Sequence, residues 1–177
     1  MRCALVDSPV GRLLLAVDAG RLVEVRFERG RGAFAPHPEW SVVSVDADAV
    51  LARTAAQLAE YFTGRRRAFE LPLEPRGTPF QRTVWDALLA LPYGQTTSYG
   101  ALARAIGQPD AVRAVGTANG ANPLPIVIPC HRVIGADGSL TGYGGSLPVK
   151  RWLLALERGD SLFGLPPLEP PPDEPTP

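Results

Sequence analysis

The sequence predicts an α+β fold built as two lobes, an N-terminal α/β lobe over residues 1–72 and a mainly helical lobe over residues 73–165. Three features predict it. Short apolar strand-like runs are confined to the first 27 residues, apolar residues recur at three and four from residue 46 onward, and a Pro/Gly-containing break falls between Pro72 and Gly77. Residues 3–7 and 12–18 are short apolar runs around Ser8, Pro9 and Gly11, which predicts a hairpin. In residues 22–27, Val23, Val25 and Phe27 alternate with Glu24 and Arg26, which predicts a half-buried strand. Residues 29–38 carry Arg, Gly and Pro and are expected to loop. From Asp46 to Phe62 the apolar positions Val50, Leu51, Ala55, Leu58 and Phe62 have helical spacing, with Asp46 or Asp48 as the cap and Gly64 as the stop. Phe69-Glu70-Leu71 is expected to add a further strand.

In the second lobe Thr78-Pro79 opens a helix with Phe80, Val84, Leu88 and Leu89 on one face, running to Leu91 before Pro92-Tyr93-Gly94 stops it. Ser98 caps a short helix with Leu102 and Ile106 inward and Gly107 at its end. Pro109-Asp110 opens another over residues 111–118, so the pair has the spacing of a helix-turn-helix. Residues 147–157 predict a last helix, and residues 166–177 a disordered, polyproline-like tail.

Composition narrows the function. The chain has 177 residues, 45% of them apolar, enough for a core without disulfide staples. Eighteen Lys and Arg balance eighteen Asp and Glu, which excludes a polybasic protein that holds nucleic acid by bulk charge, though not one with a local basic face. No window approaches the ~20 apolar residues of a membrane span, and the first twenty residues have strand rather than signal-peptide character. The two cysteines, Cys3 and Cys130, predict no disulfide framework and a reducing cytoplasm. With His37 and His131 they lack the spacing of a zinc site, so neither metal nor cofactor is expected.

The segment that carries chemistry runs from Asn122 to Ile134. Ile126-Val127-Ile128 is apolar and lies between prolines, and Pro129 fixes the backbone immediately before Cys130 and His131. A cysteine on a rigid bend followed by histidine suits a nucleophilic thiol with a base nearby. The competing reading is a buried structural cysteine. Neighbouring side chains of a strand point to opposite faces, so the two could cooperate only across a bend or through a water.

Pro129-Cys130-His131-Arg132-Val133 resembles the active-site signature of the O6-alkylguanine-DNA alkyltransferases, direct-reversal DNA repair proteins. The resemblance spans roughly residues 78–159 in register: Thr78-Pro79-Phe80-Gln81, Val84-Trp85, Pro92-Tyr93-Gly94, Ser98-Tyr99-Gly100, Arg113-Ala114-Val115-Gly116, Asn122-Pro123, Gly142-Tyr143-Gly144-Gly145, Lys150 and Leu153-Leu154-Ala155-Leu156-Glu157. The resemblance implies a ribonuclease H-like first lobe. It implies that Cys130 takes the alkyl group of O6-alkylguanine, with O4-alkylthymine a second candidate, and that the thioether is a dead end. His131 would draw the thiol proton through a water, Glu157 would hold the imidazole, and Asn122 would order the turn. Tyr99 would offer its hydroxyl to guanine N3. Val133 and Gly144 would line the base pocket through backbone groups, Tyr143 would form its lid, and Lys150 would lie nearby. Many family members carry serine where this chain has Gly144, so any hydroxyl contribution there is lost.

The resemblance also implies a monomer on double-stranded DNA, with the damaged base flipped out and Arg113 in its place. The small residues from Ala114 to Ala121 suit a slim helix in the minor groove. Arg82, Arg104, Arg113 and Arg132 outnumber Asp86 and Asp110 over residues 80–133, which predicts a basic binding face. Without the resemblance, Glu157, Arg113 and Lys150 would read as solvated charges and Tyr99 as a packing residue. Two other classes compete: a lesion-binding protein without chemistry, and a cysteine hydrolase using Cys-His-Glu. Intact Cys130, His131 and Glu157 argue against the first, and the helix pair against the second.

Overall fold

The computed structural model describes residues 1–28, 34–159 and 166–168. The first lobe is a four-stranded sheet in the order β3-β2-β1-β4, formed by β1 (Arg2–Val6), β2 (Leu13–Asp18), β3 (Arg21–Phe27) and β4 (Ser41–Val42), with α1 (Ala49–Phe62) packed on it. The β1–β2 and β2–β3 pairs are antiparallel, and β4 runs parallel to β1. Asp48, rather than Asp46, caps α1 by accepting from the amides of Val50 and Leu51; Asp46 lies in a preceding turn of 3-10 helix.

Two details depart from the sequence reading. Alternation in β3 breaks because Ala16 pairs with Glu24 while Val17 pairs with Leu22, a bulge that leaves Val23 without a partner. Val23 therefore packs on the outer face with Cys3, Leu14 and Ala16, under Phe34 and Trp40, while Val25 and Phe27 face the main core. Residues 69–71 form no strand. The chain pairs with the sheet one step later, through a bridge of Leu73 to Leu22 closed by two backbone hydrogen bonds. Phe69 is spent packing on the Tyr61 ring instead.

The second lobe contains α2 (Pro79–Leu89), a two-residue strand β5 (Thr97–Ser98), α3 (Tyr99–Ala105), α4 (Val112–Gly120), a second two-residue strand β6 (Val133–Ile134) and α5 (Leu147–Arg158). Thr78 and Gln81 close a capping box at the start of α2, and Ser98 caps α3. Buried residues of α2, α3 and α4 meet in one core; Trp85 adds a hydrogen bond from its indole to the Ala118 carbonyl. The core is continuous across both lobes, from Leu13 and Tyr61 to Ile128 and Leu153. The Val25 amide in β3 donates to the Pro123 carbonyl, tying the bulged strand to the loop that leads to Cys130.

No helix among the described residues is long and apolar enough to cross a membrane. Of the region expected as a tail, residues 166–168 are held: the Trp152 indole donates to the Pro166 carbonyl and the Leu168 amide to the Pro9 carbonyl. Residues 169–177, and residues 29–33 of the expected loop, lie outside the described residues.

Candidate active site

The backbone before Cys130 is forced into shape. Ile126 has φ 74°, a left-handed conformation that a β-branched residue adopts only at a cost of about 1–3 kcal/mol. Its burial in the common core, beside Leu124 and Ile128, holds it there. Pro129 then sits at φ −81°, ψ 60° and the Cys130 amide donates back to the Ile128 carbonyl, an inverse γ-turn. Cys130–Arg132 continue as a single turn of 3-10 helix. This is the bend that lets adjacent side chains serve one site. Asn122 braces it, its amide donating to the Ile128 carbonyl and its carbonyl accepting from the Leu124 amide.

Behind the turn lies a cluster of buried charges centred on Glu157. Its Oε1 accepts from the Tyr61 hydroxyl at 2.7 Å, from His131 Nε2 at 2.8 Å and from Arg132 Nη2 at 2.9 Å. Its Oε2 accepts from Arg132 Nε at 2.8 Å and from the Gly94 amide at 3.0 Å. These bonds outweigh burial and hold the carboxyl well below the ordinary carboxylate range. A carboxylate can only accept, so Nε2 carries the imidazole proton and Nδ1 is left as an acceptor. Nδ1 is buried and has no hydrogen-bond partner among the described residues. Burial lowers the His131 pKa against the pull of Glu157, so the ring is a neutral base.

Cys130 is 3% exposed. Burial pushes its thiol up to about 11; the Asn122 amide and the Lys150 charge oppose that only in part. At neutral pH it is a thiol that must hand its proton to a base. Lys150 is fully buried, contrary to its reading as a solvated lysine, and its Nζ donates to the carbonyls of Val133 at 2.6 Å and Thr141 at 3.2 Å. It ties the strand after Cys130 to the loop that begins at Thr141. Arg132 is likewise no part of a basic face: it is 6% exposed and spent on Glu157 and the Leu91 carbonyl. Of the arginines assigned to that face, Arg82, Arg104 and Arg113 are exposed, against exposed Asp86 and Asp110.

Beyond the buried cluster an open cleft of about 920 Å³ is lined by Tyr99 of α3, by Arg113, Gly116 and Thr117 of α4, and by the loop from Thr141 to Gly144; Cys130 is not among its described lining residues. The Tyr99 hydroxyl pairs with Thr141 Oγ1 at 2.8 Å across it. Ala114 is exposed on α4. Gly144 has open space where a Cβ would stand, so a serine side chain would fit there. Tyr143 lines the cleft and also packs edge-on to His131, at 6.4 Å between ring centroids, and on Phe27 of β3 at 5.7 Å. Its buried hydroxyl has no partner among the described residues.

The structure therefore gathers Cys130, His131, Glu157, Asn122, Val133, Lys150 and Tyr143 around one turn, and leaves Tyr99, Arg113 and Gly144 on the cleft, whereas Ala114 is exposed on α4 but does not line it. The sequence reading missed Tyr61, the Gly94 amide and Asn119, whose amide donates to the Cys130 carbonyl at 3.4 Å. Tyr61 did leave a signal: it lies on the buried stripe of α1, where a tyrosine needs a partner for its hydroxyl. No cluster of three or more His, Cys, Asp or Glu side chains suited to a metal occurs among the described residues.

Comparison with known proteins gives concordant matches. Residues 79–159 match the family model for the 6-O-methylguanine DNA methyltransferase DNA-binding domain, and residues 1–75 match its ribonuclease-like domain. A methylated-DNA–protein-cysteine methyltransferase of Methanosarcina acetivorans is 45% identical over 89% of this chain and 98% of its own. One from Mycolicibacterium paratuberculosis is 48% identical over 88% of this chain and 92% of its own. The crystal structure of Mycobacterium tuberculosis OGT in complex with DNA superposes with a TM-score of 0.82 at 44% identity, covering 90% of this chain and 94% of that one.

Proposed function

The chain belongs to the 6-O-methylguanine DNA methyltransferase family, and from that premise we propose that it repairs alkylated DNA directly, moving the alkyl group from O6 of guanine to the sulfur of Cys130 once per molecule. The observation that carries this reading is a buried thiol on a bent turn, next to a neutral histidine whose one open nitrogen is an acceptor. The thiol proton passes through a water to His131 Nδ1, and Glu157 stabilises the imidazolium that forms, as in a hydrolase triad. The sulfur attacks the alkyl carbon in line. The S–C bond forms as the C–O6 bond breaks, and the electron pair returns to the purine. Tyr99 exchanges Thr141 for guanine N3 and donates there, making the base a better leaving group. A thioether has no path to hydrolysis, so the protein is consumed.

In this reading α3 and α4 act as a helix-turn-helix in the minor groove, with Arg113 filling the place of the flipped base and Tyr143 closing over it. Val133, Gly144 and Lys150 shape the pocket. The protein works as a monomer in the cytoplasm and needs no cofactor.

Intact-protein mass spectrometry after incubation with a duplex holding one O6-methylguanine tests the proposal. One added methyl group is expected on Cys130, saturating at one per molecule and absent in Cys130→Ala. Retained binding without a mass change would instead indicate a protein that only binds lesions.

A further inference from the structure

Glu157 and His131 belong to the second lobe, yet one of the bonds that set their geometry comes from the first. Tyr61 lies in the last turn of α1, on its buried stripe, and is 1% exposed. Its ring is fixed on three sides, by Phe62 at 5.6 Å, Phe69 at 5.4 Å and Tyr93 at 6.1 Å between centroids. The hydroxyl therefore has little freedom, and it reaches Glu157 Oε1 at 2.7 Å, with His131 Nε2 3.5 Å away. A phenylalanine would fill the same space. The hydroxyl is needed only for what it does to the carboxylate.

We propose that Tyr61 is a positioning residue of the alkyl-transfer site, which donates to the same Glu157 oxygen that receives the His131 Nε2 proton and so keeps the imidazole an uncharged base. The inference rests on the function proposed above. Its logic is competition for one atom. Oε1 has about two lone-pair directions and three donors from the described residues, Tyr61, His131 and Arg132, while Arg132 Nε and the Gly94 amide share Oε2. Each donor draws charge from the carboxylate and lessens its hold on the imidazole proton. The other groups facing the ring push the same way or stay neutral. Arg132 and Lys150 are cations that disfavour an imidazolium, and the buried hydroxyl of Tyr143 is held protonated by burial. Removing the Tyr61 hydroxyl leaves Oε1 free to pull harder on His131, which then accepts a proton at a higher pH and is lost as a base there. The first lobe thereby takes part in the chemistry through one atom of α1.

The test is the pH profile of single-turnover methyl transfer from an O6-methylguanine duplex for the wild type and Tyr61→Phe. The acid limb is expected to move up by about 0.5–1 pH unit. At a pH on that limb the variant should be several-fold slower, while the plateau above it changes less than about twofold. Site-specific 3-fluorotyrosine at position 61 keeps the shape and gives a stronger donor, so its limb should move down. Phe69→Leu loosens the same packing without touching Glu157 and should lower the melting temperature with the limb in place. A Tyr61→Phe loss that is uniform across pH, or limbs that coincide, would overturn the proposal. Should Tyr61→Phe not fold, the fluorotyrosine shift alone decides. A wild type that transfers no methyl group sinks the proposed function itself; titration of the His131 ring by NMR in wild type and variant then decides the Tyr61 inference separately.

Discussion

Two environments meet at Tyr143, which lines the cleft and packs on His131. Behind it His131, Arg132, Lys150 and Glu157 are all buried, and their hydrogen bonds run to one another, to Tyr61 and to backbone carbonyls and amides. Before it the cleft wall on α4 is small and exposed, with Arg113 as its one long cation among the described lining residues. The first side is over-determined, since each buried charge costs several kcal/mol unless its partners are in place. The second is under-filled, leaving room for a large ligand that brings its own shape and charge. The contrast suggests a division of labour. Proton placement is fixed by the protein before substrate arrives, whereas recognition is completed by the substrate.

The sharpest way to break this division is Glu157→Gln. The change removes a charge that five hydrogen bonds from the described residues converge on and strands the Arg132 guanidinium in the core. A loss of about 3–5 kcal/mol in unfolding free energy is expected, measured by denaturant titration. Methyl transfer should slow by about 100-fold or more, with affinity for the duplex unchanged. The stability gap should also depend on pH with a fixed sign. Glu157 has a depressed pKa in the folded protein, so its contribution is complete above the unfolded value and drains away as the pH falls below about 4. A gap that widened in acid would contradict the assignment.

The same division decides what the sequence could reveal. The strands β1 to β3, the main helices and their caps follow from local periodicity and from Thr78, Ser98 and Gly64, and the ranges of α1, α2 and α5 agree with it to within a few residues. Val23 did not, because a bulge is a property of the pair of strands rather than of one. At the site, Cys130, His131 and Glu157 were legible through a motif. Arg132 sat inside that motif and was still taken for a surface charge, since nothing local says that a partner 25 positions later will bury it. Tyr61 showed only that its hydroxyl needs a buried partner; which partner was hidden at longer range, since it lies 96 residues away.

On the cleft side Arg113→Ala sharpens the comparison from the other end. The side chain is exposed near the start of α4 and lines the cleft. Stability should change by less than about 0.5 kcal/mol. If Arg113 fills the place of a flipped base as proposed, transfer from duplex DNA should fall by about tenfold, on the scale of one lost contact that steadies the unstacked base. Transfer from free O6-alkylguanine base should be unaffected, because there is nothing to extrude. Equal losses on both substrates would place Arg113 in the chemistry and erase the boundary between the two sides.

The smallest expected effect tests whether the slimness of α4 has a purpose. Gly116 lies in the interior of that helix, where alanine is favoured by up to about 1 kcal/mol. Nothing in the fold forbids it: an added Cβ would rest 3.8 Å from the Tyr99 ring, an ordinary contact. At Gly145, by contrast, it would strike Phe27 at 2.6 Å. Packing in the free protein therefore explains glycine at 145 but not at 116. Gly116→Ala should raise the melting temperature by about 2–4 °C, the shift that 1 kcal/mol gives a chain of this size. In the minor-groove reading it should also weaken duplex binding by a few-fold, because one methyl group would thicken the face that enters the groove. A variant that gained stability and bound DNA as before would show that the small residues of α4 serve packing alone, and the minor-groove reading of this face would lose its support.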